Sequence, residues 1–141
     1  MQLIWVYGSL KRGFTRHSIL SDQRYIGIAR TTPHYAIFGY GGFPALVDET
    51  LAETSGVTAK NHIFGELYEV DDVCMMELDR IEGVDRGLFS RKEIILESIT
   101  MVGLPVSEDV WKSIAAKKAQ AYFFKLKLNG AADCGPLWTQ K

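Results

Sequence analysis

The chain has 141 residues, with 16 lysine and arginine side chains against 17 aspartate and glutamate side chains, and 47% of its residues are hydrophobic. This length and composition predict a single domain, residues 1–141, with its own hydrophobic core. The near balance of charge argues against a nucleic-acid-binding protein, which needs a basic excess. Two cysteines, Cys74 and Cys134, are too few for a disulfide framework.

The first residues show no sign of a targeting segment. The apolar run at residues 3–7 is too short for a signal-peptide core, and no basic region precedes it. No stretch approaches the roughly 18 to 20 uninterrupted apolar residues that a membrane-spanning helix needs. We therefore expect a cytoplasmic protein that makes no membrane contact.

The first half of the chain reads as short strands separated by turns. Residues 2–7 form an apolar run rich in β-formers that stops at Gly8, which predicts a buried strand. A turn follows between Gly8 and Gly13, and a short helical piece is predicted around residues 17–22. The next predicted elements are strands at 24–40 and 44–48, broken by Pro33, Gly39 and Gly41-Gly42, and a polar surface loop at 51–61.

The second half predicts two helices among three strands. Gly65, in the middle of a strand at 62–70, indicates a bulge or a close backbone approach. Asp71 and Asp72 can cap a helix that ends at Gly83. Val73, Met76 and Ile81 lie near helical spacing within it. The remaining predicted elements are a strand at 88–99, a helix from Ser107 to Lys117-Lys118, and a strand at 119–128.

These elements predict an α+β domain dominated by β structure. Six or seven strands with two or three flanking helices lie too close in sequence for regular crossover units. A mixed sheet curled into a small barrel therefore fits the pattern best.

Charge is unevenly distributed along this nearly neutral chain. Residues 1–30 are basic, residues 31–47 carry no charged side chain, and residues 48–85 hold eleven acids against two basic groups. Such blocks are ordinarily solvated faces. The uncharged stretch, rich in glycine and aromatic residues, could instead line a pocket.

Several kinds of site are disfavoured by the sequence. The three histidines, His17, His34 and His62, stand far apart and neither cysteine has a close partner, so no metal site is predicted. The segment after the first strand lacks the spacing of a phosphate-binding P-loop. Cys74 and His62 could pair as nucleophile and base, but a helical Cys74 beside two methionines is typical of a core position.

Two groups of residues remain as candidate functional sites. Residues 7–10, Tyr-Gly-Ser-Leu, end a strand in a glycine turn, which is either an ordinary turn or one whose backbone N–H groups hold an anion. Asp79 and Glu82 stand three residues apart at a helix end. An acid at a helix carboxyl end opposes the helix dipole, which raises its pKa toward the range a general base needs, although such acids are commonly just surface groups.

Taken in order, the segments resemble the γ-glutamylcyclotransferase-like family, particularly its small γ-glutamylamine cyclotransferase branch. The matching segments are VYGSLKRG at 6–13, FPAL at 43–46, GELYEV at 65–70, LDRIEGV at 78–84 and FSR at 89–91, with a weaker echo in AQAYFF at 119–124. The pairing of the first motif with LDxxEG some seventy residues later is specific, whereas either motif alone is weak.

The resemblance implies a small mixed barrel and an enzyme, of lyase or transferase type, that needs neither metal nor cofactor. The implied reaction converts a γ-glutamylamine or related γ-glutamyl amide into 5-oxoproline and a free amine. By resemblance Glu82 is the catalytic acid–base, and the substrate-binding residues are Tyr7, Gly8, Ser9 and Leu10. The implied partner is therefore a small-molecule γ-glutamyl substrate.

Some features leave alternatives open. The family usually has Tyr-x-Arg where this chain has Phe89-Ser90-Arg91, so a hydroxyl is missing on the leaving-group side. Arg91 is a candidate for binding the substrate carboxylate, as is Arg12, and each is otherwise a surface residue. Tyr35, Tyr40 and Phe43 are candidate cavity-wall residues within the uncharged stretch.

The carboxyl-terminal part of the chain and the function also keep more than one interpretation. A helix within 100–118 can cover a sheet edge or the cavity, and Trp138 either folds over the pocket or is merely packed. The alternative functions are a non-catalytic small-molecule binding domain of the same fold and a protein–protein adaptor that uses the acidic face. The amine and the oligomeric state stay open.

Overall fold

The computed structural model describes residues 1–14, 16–40, 42–126, 128 and 131–139. Across these residues the chain forms eight strands, three α-helices and a short 3₁₀ helix at His17–Leu20. The strands are β1 (Gln2–Val6), β2 (Arg24–Thr31), β3 (Tyr35–Tyr40), β4 (Phe43–Asp48), β5 (Phe64–Val70), β6 (Phe89–Met101), β7 (Lys118–Phe124) and β8 (Ala132–Asp133). The helices are α1 (Glu49–Ser55), α2 (Asp72–Ile81) and α3 (Glu108–Ala115).

Five strands close into a barrel in the order β1-β5-β2-β6-β7. The neighbouring strands are antiparallel except at the closure, where β1 runs parallel to β7. This confirms the expected α+β fold with a small mixed barrel and flanking helices. The other three strands form a separate sheet in the order β4-β3-β8, so the described residues contain one strand more than the upper predicted number.

Alternate residues of β1 pack into two different parts of the core, as the pleat of a strand requires. Ile4 and Val6 belong to one buried cluster, while Leu3 and Trp5 belong to the other. Trp5 is fully buried, and its Nε1 donates a hydrogen bond to the Ala29 carbonyl oxygen at 3.1 Å. The strand thus connects both halves of the core and holds the turn that follows it in a fixed place.

Gly65 in β5 allows the close approach that the sequence predicts. A side-chain carbon at this position would lie 2.4 Å from Cε2 of Trp5, closer than any real contact. Gly65 pairs in regular register with Ala29, whereas the irregular registers of this part of the barrel fall within β2. The glycine therefore makes room for the Trp5 ring and produces no bulge of its own.

Residues 49–55 form helix α1, so the prediction of a surface loop over 51–61 is wrong for the first part of that range. Asp48 caps the helix, its Oδ1 accepting a hydrogen bond from the Leu51 N–H at 3.0 Å. Gly56 ends it in the left-handed conformation, with φ at 71°. The polar composition of the segment hides these signals, because a helix this short buries only Ala52.

The second sheet also corrects the expected break at Gly39, which lies inside β3 and pairs with Pro44 and Ala132. The absent side chain leaves space for the Cys134 thiol, whose Sγ lies 3.3 Å from where a Cβ on Gly39 would be. The glycine therefore serves packing of the carboxyl-terminal segment against β3. The other predicted break was at Gly41-Gly42, and Gly41 lies outside the described residues.

Helix α2 begins and ends where the sequence predicts, but it buries a different face. The Asp71 carboxylate accepts a hydrogen bond from the Cys74 N–H at 2.7 Å, and Gly83 follows the helix end with φ at 69°. Val73 and Met76 are 78% and 72% exposed. The buried residues are Cys74, Met75 and Leu78, which lie on a different face of the helix from Val73 and Met76.

The segment between β6 and β7 covers the barrel closure and does not line the cavity described below. Helix α3 packs on β1 and β7, where Val110 is fully buried. The Glu69 carboxylate, 2% exposed, fixes the preceding loop by accepting hydrogen bonds from the N–H groups of Val106 and Ser107. Strand β7 ends at Phe124, four residues before the predicted end.

None of the helices within the described residues is both long enough and apolar enough to pass through a membrane.

Candidate active site

A cavity of about 350 Å³ opens where β1 ends. Its walls come from the turn after β1, the start of β4, the end of α2 with the loop that follows it, and single residues of β6, β7 and the carboxyl-terminal segment. The lining residues that matter below are Tyr7, Gly8, Ser9, Leu10, Arg16, Phe43, Pro44, Glu82, Arg86, Leu88, Phe89, Tyr122 and Trp138. The turn at 7–10 and Glu82, more than seventy residues apart in sequence, therefore meet at one cavity.

The turn after β1 is held by its own backbone and by close packing. The Lys11 N–H donates to the Gly8 carbonyl oxygen at 3.1 Å, and the Arg16 N–H donates to the Ser9 carbonyl oxygen at 2.8 Å. A side-chain carbon on Gly8 would lie 2.7 Å from Cγ of Pro44, so glycine is needed there. Within the described part of the chain the N–H groups of Ser9 and Leu10 find no protein acceptor, which leaves them available to an oxygen of a bound molecule.

Glu82 stands at the carboxyl-terminal cap of α2 and directs its side chain at the cavity. Its N–H donates to the Leu78 carbonyl oxygen at 2.9 Å, which continues the helix to this residue. Burial raises the pKa of its carboxyl group to about 7, against an opposing effect of the Arg16 positive charge. The carboxyl group thus exchanges protons near neutral pH, as a general acid or base must.

Two tyrosines stand close to Glu82. The Tyr7 hydroxyl donates to the Tyr122 carbonyl oxygen at 2.9 Å, and the Tyr122 hydroxyl donates to Oδ1 of Asp79 at 2.6 Å. Burial raises the pKa of both phenols, and the negative charge of Glu82 raises each further. Both hydroxyls therefore stay protonated and keep fixed orientations in the wall.

Asp79, the other acid of the predicted pair, has a structural role, because its carboxylate is bonded to neighbouring side chains. Nε and Nη2 of Arg91 donate to its two carboxylate oxygens at 2.9 and 3.2 Å. Nη1 of Arg91 donates to Oε1 of Gln2 at 3.1 Å. Arg91 is absent from the cavity lining, so this placement does not support its predicted role in contacting the substrate directly.

The uncharged stretch contributes only its last part to the cavity. Phe43 and Pro44 line it, together with Phe89 from β6. Tyr40 lies behind Phe43, with ring centroids 5.8 Å apart, and is not a lining residue. Tyr35 belongs to the other core cluster, where its hydroxyl oxygen accepts a hydrogen bond from the Ile95 N–H at 3.1 Å.

Trp138 joins the wall from the carboxyl-terminal segment. It is 3% exposed, so it is both packed and part of the cavity, which combines the two interpretations that the sequence left open. The buried Lys11 amine donates to the Trp138 carbonyl oxygen at 2.7 Å. The turn after β1 thereby holds the segment that completes the wall.

Two arginines at the cavity were not singled out from the sequence. Arg16 follows the first motif, and Arg86 follows Glu82 by four residues. Arg12, the arginine considered with Arg91, instead stacks on the Tyr25 ring at 4.1 Å and does not line the cavity. The sequence places Arg16 and Arg86 close to the two motifs. This proximity alone does not distinguish an arginine that lines a cavity from one on the surface.

Among the described residues, no three histidine, cysteine, aspartate or glutamate side chains come together in a way that could hold a metal ion.

Comparison with known proteins agrees with this architecture. The family model described as gamma-glutamyl cyclotransferase, AIG2-like, matches residues 4–136. A Methanocaldococcus jannaschii protein named "Putative gamma-glutamylcyclotransferase MJ1514" is 34% identical over 101 residues, which cover 70% of this chain and 76% of that protein. A Vibrio cholerae protein named "Putative gamma-glutamylcyclotransferase" is 32% identical over 82 residues, 58% of this chain but only 63% of the Vibrio protein's length.

Solved structures share the fold at low sequence identity. An AIG2-like protein from mouse superposes with a TM-score of 0.62 at 22% identity, covering 89% of this chain and 77% of the mouse chain. Allophanate hydrolase from Kluyveromyces lactis contains a similar unit, with a TM-score of 0.64 at 14% identity over 94% of this chain and 19% of the hydrolase. These likenesses concern the fold alone. The match of the family model over nearly the whole length places this chain in the gamma-glutamyl cyclotransferase, AIG2-like family.

Proposed function

We propose that the protein is a γ-glutamyl cyclotransferase, which releases 5-oxoproline and a free amine from a γ-glutamyl amide, with Glu82 as the acid–base. The observation that carries the proposal is a carboxyl group with a pKa raised to about 7, in a cavity beside a turn whose Ser9 and Leu10 N–H groups have no acceptor among the described residues. Membership of the family and the names of its relatives support this choice of reaction.

The chemistry needs no nucleophile from the protein. The α-amino nitrogen of the γ-glutamyl group attacks its own side-chain carbonyl carbon, and a five-membered ring closes as the bond from that carbon to the amine nitrogen breaks. Because the attack is intramolecular, holding the substrate folded provides much of the rate acceleration. The atoms balance without water: the γ-glutamyl amide yields 5-oxoproline and the amine.

Proton transfer is the task left for the enzyme. The attacking amino group arrives as an ammonium ion and must lose a proton, while the departing nitrogen must gain one. Glu82 in its carboxylate form accepts the first proton and, once protonated, donates it to the departing nitrogen. A pKa of about 7 suits both steps, because each protonation state is then populated near neutral pH.

The turn after β1 supplies the complementary contacts. In this proposal the N–H groups of Ser9 and Leu10 donate to a substrate oxygen, either the carboxylate or the oxyanion that develops on the attacked carbonyl. The Ser9 hydroxyl has no chemical role here. The aromatic and apolar walls, including Phe43, Phe89 and Trp138, exclude water from the folded substrate.

A substrate panel tests the proposal. The protein is incubated with γ-glutamyl amino acids, γ-glutamylamines and glutathione, and 5-oxoproline is measured by mass spectrometry. We expect release from at least one class, and a loss of roughly a hundredfold or more in Glu82→Gln, since general acid–base catalysis contributes about that much. Ser9→Ala is the matched control in the turn and should retain most activity.

Two results would count against the proposal. No release from any compound, with binding of γ-glutamyl compounds retained in calorimetry, would favour a binding domain without turnover. A Ser9→Ala loss as severe as that of Glu82→Gln would instead indicate serine chemistry.

A further inference from the structure

The cavity contains two arginine side chains that the cyclisation chemistry leaves unexplained. Arg16 and Arg86 line it, and within the described ranges neither guanidinium group has an ion-pair or hydrogen-bond partner. Other arginines of the chain are paired: Arg30 with Glu97, Arg80 with Glu77 and Arg91 with Asp79. The two cavity arginines therefore present unused donors suited to carboxylate oxygens.

The charges at the cavity match a substrate that has two carboxylates. The lining provides two positive charges and one titrating acid, Glu82. The γ-glutamyl end of any substrate brings one carboxylate, which one guanidinium group can bind. In the reactive state the Glu82 carboxylate faces the substrate ammonium group, so the second guanidinium group lacks a counterion unless the departing amine also bears a negative charge.

The two arginines reach the cavity from different parts of the chain. The Arg16 N–H donates to the Ser9 carbonyl oxygen at 2.8 Å, so Arg16 stands beside the turn assigned above to the γ-glutamyl end. Arg86 belongs to the loop after Glu82. Its Nη2 lies 2.9 Å from the position that a Cβ on Gly83 would occupy, and Leu88 Cδ1 lies equally close to the same position.

We propose that Arg86 is a specificity-determining residue that binds a carboxylate on the departing amine, so that the preferred substrates are γ-glutamyl amino acids or peptides. This inference rests on the proposed cyclotransferase function and deepens it. The reaction is the same cyclisation: the ring closes, the amide bond to the amino acid breaks, and the proton passes through Glu82 to the departing amino group. Arg16 binds the γ-glutamyl carboxylate, which all substrates share.

A matched pair of compounds tests the assignment. γ-Glutamyl-alanine and γ-glutamyl-ethylamide differ only in the carboxylate on the departing amine. We expect kcat/KM for the wild-type protein to be roughly five- to tenfold higher for γ-glutamyl-alanine, the size expected for a charged hydrogen bond at a partly exposed site. Arg86→Gln should abolish this preference by lowering only the value for γ-glutamyl-alanine.

Two further variants separate this role from a general loss of positive charge. Arg16→Gln should lower kcat/KM for both compounds by a similar factor, because both share the γ-glutamyl carboxylate. Arg80→Gln, which removes an arginine paired with Glu77 outside the cavity, should change neither value. Added salt should reduce the preference of the wild-type protein, since the ionic contact is partly exposed.

The outcomes distinguish this inference from the proposed function. If the wild-type protein releases 5-oxoproline from both compounds at equal rates, or if Arg86→Gln keeps the preference, the assignment of Arg86 is wrong while the function stands. If the protein releases 5-oxoproline from neither compound, nor from any other γ-glutamyl amide, the proposed function itself fails.

Discussion

Glu82 occupies a position where its negative charge is unfavourable, and this has a consequence for stability as well as for function. Burial raises the pKa of its carboxyl group from 4.5 to about 7. Below pH 4.5 the group is protonated in both the folded and the unfolded chain and causes no loss. As the pH rises through the interval from 4.5 to 7, the unfolded chain loses the proton first, so the folded state becomes progressively less stable.

Replacing Glu82 with glutamine should therefore stabilise the folded protein at alkaline pH. The shift corresponds to at most about 3 kcal/mol in the free energy of unfolding above pH 7. We expect urea titrations to show a gain of this sign for Glu82→Gln at pH 8.5 and a much smaller gain at pH 5. The exposed acid Glu53 lies outside the cavity, so Glu53→Gln provides a control for the loss of a carboxylate. An equal effect of Glu82→Gln at both pH values would contradict a raised pKa.

The residues of the candidate site could be predicted from sequence only in part. The turn at 7–10 and the pair Asp79 and Glu82 were candidates from their local pattern, and the resemblance to the family selected Glu82 of the two acids. Arg91 was expected at the cavity, yet its guanidinium group is taken up by Asp79 and Gln2. Which arginine meets the cavity depends on loop paths and pairing partners, and the local sequence around an arginine does not encode either.

At the scale of elements, the carboxyl-terminal segment completes a site built mainly by the first ninety residues. Strand β8 pairs with β3, the Phe64 N–H donates to the Pro136 carbonyl oxygen at 2.9 Å, and the Lys11 amine holds the Trp138 carbonyl. These contacts attach the segment to the core that positions the cavity. Trp138 lies two residues beyond the match of the family model.

Removing the anchor should weaken substrate binding more than chemistry. Lys11→Met deletes the hydrogen bond to Trp138 and leaves a buried carbonyl without a partner, which costs about 1–3 kcal/mol of stability. We expect faster hydrogen exchange in residues 131–139, with a KM several times higher and a smaller change in kcat.

Variants of the segment itself provide the comparison. Trp138→Leu should reproduce the rise in KM, whereas Leu137→Ala should not, because Leu137 is 44% exposed and does not line the cavity. Unchanged KM in both Lys11→Met and Trp138→Leu would show that the segment is only packing.

Strands and helices with strong local sequence signals were predicted correctly, and those without such signals were missed. The apolar runs of β1 and β5 and the capped start of α2 have strong local signals, and the structure confirms them. Helix α1 was missed because it is short, polar and held mainly by its Asp48 cap and Gly56 end. Strand β8, with two residues, depends entirely on its partner β3 and carries no periodic pattern of its own.

At the scale of the whole molecule, the barrel brings two distant motifs together. Strand β1 pairs with β5 and β7 and delivers the turn at 7–10, while α2, which follows β5 directly, delivers Glu82. The sequence predicts a mixed barrel, but it does not predict that β3, β4 and β8 form a separate sheet. That division follows from pairing between distant strands, which local periodicity does not report.

The role of Glu82 as acid–base, with its raised pKa, can be measured through the pH dependence of kcat/KM for 5-oxoproline release. The carboxylate is the form that accepts the first proton, so the rate should fall as the pH drops below the pKa. We expect an acidic limb with a midpoint near pH 7 for the wild-type protein and no such limb in the residual activity of Glu82→Gln. A midpoint near 4.5, or the same limb in Glu82→Gln, would contradict it.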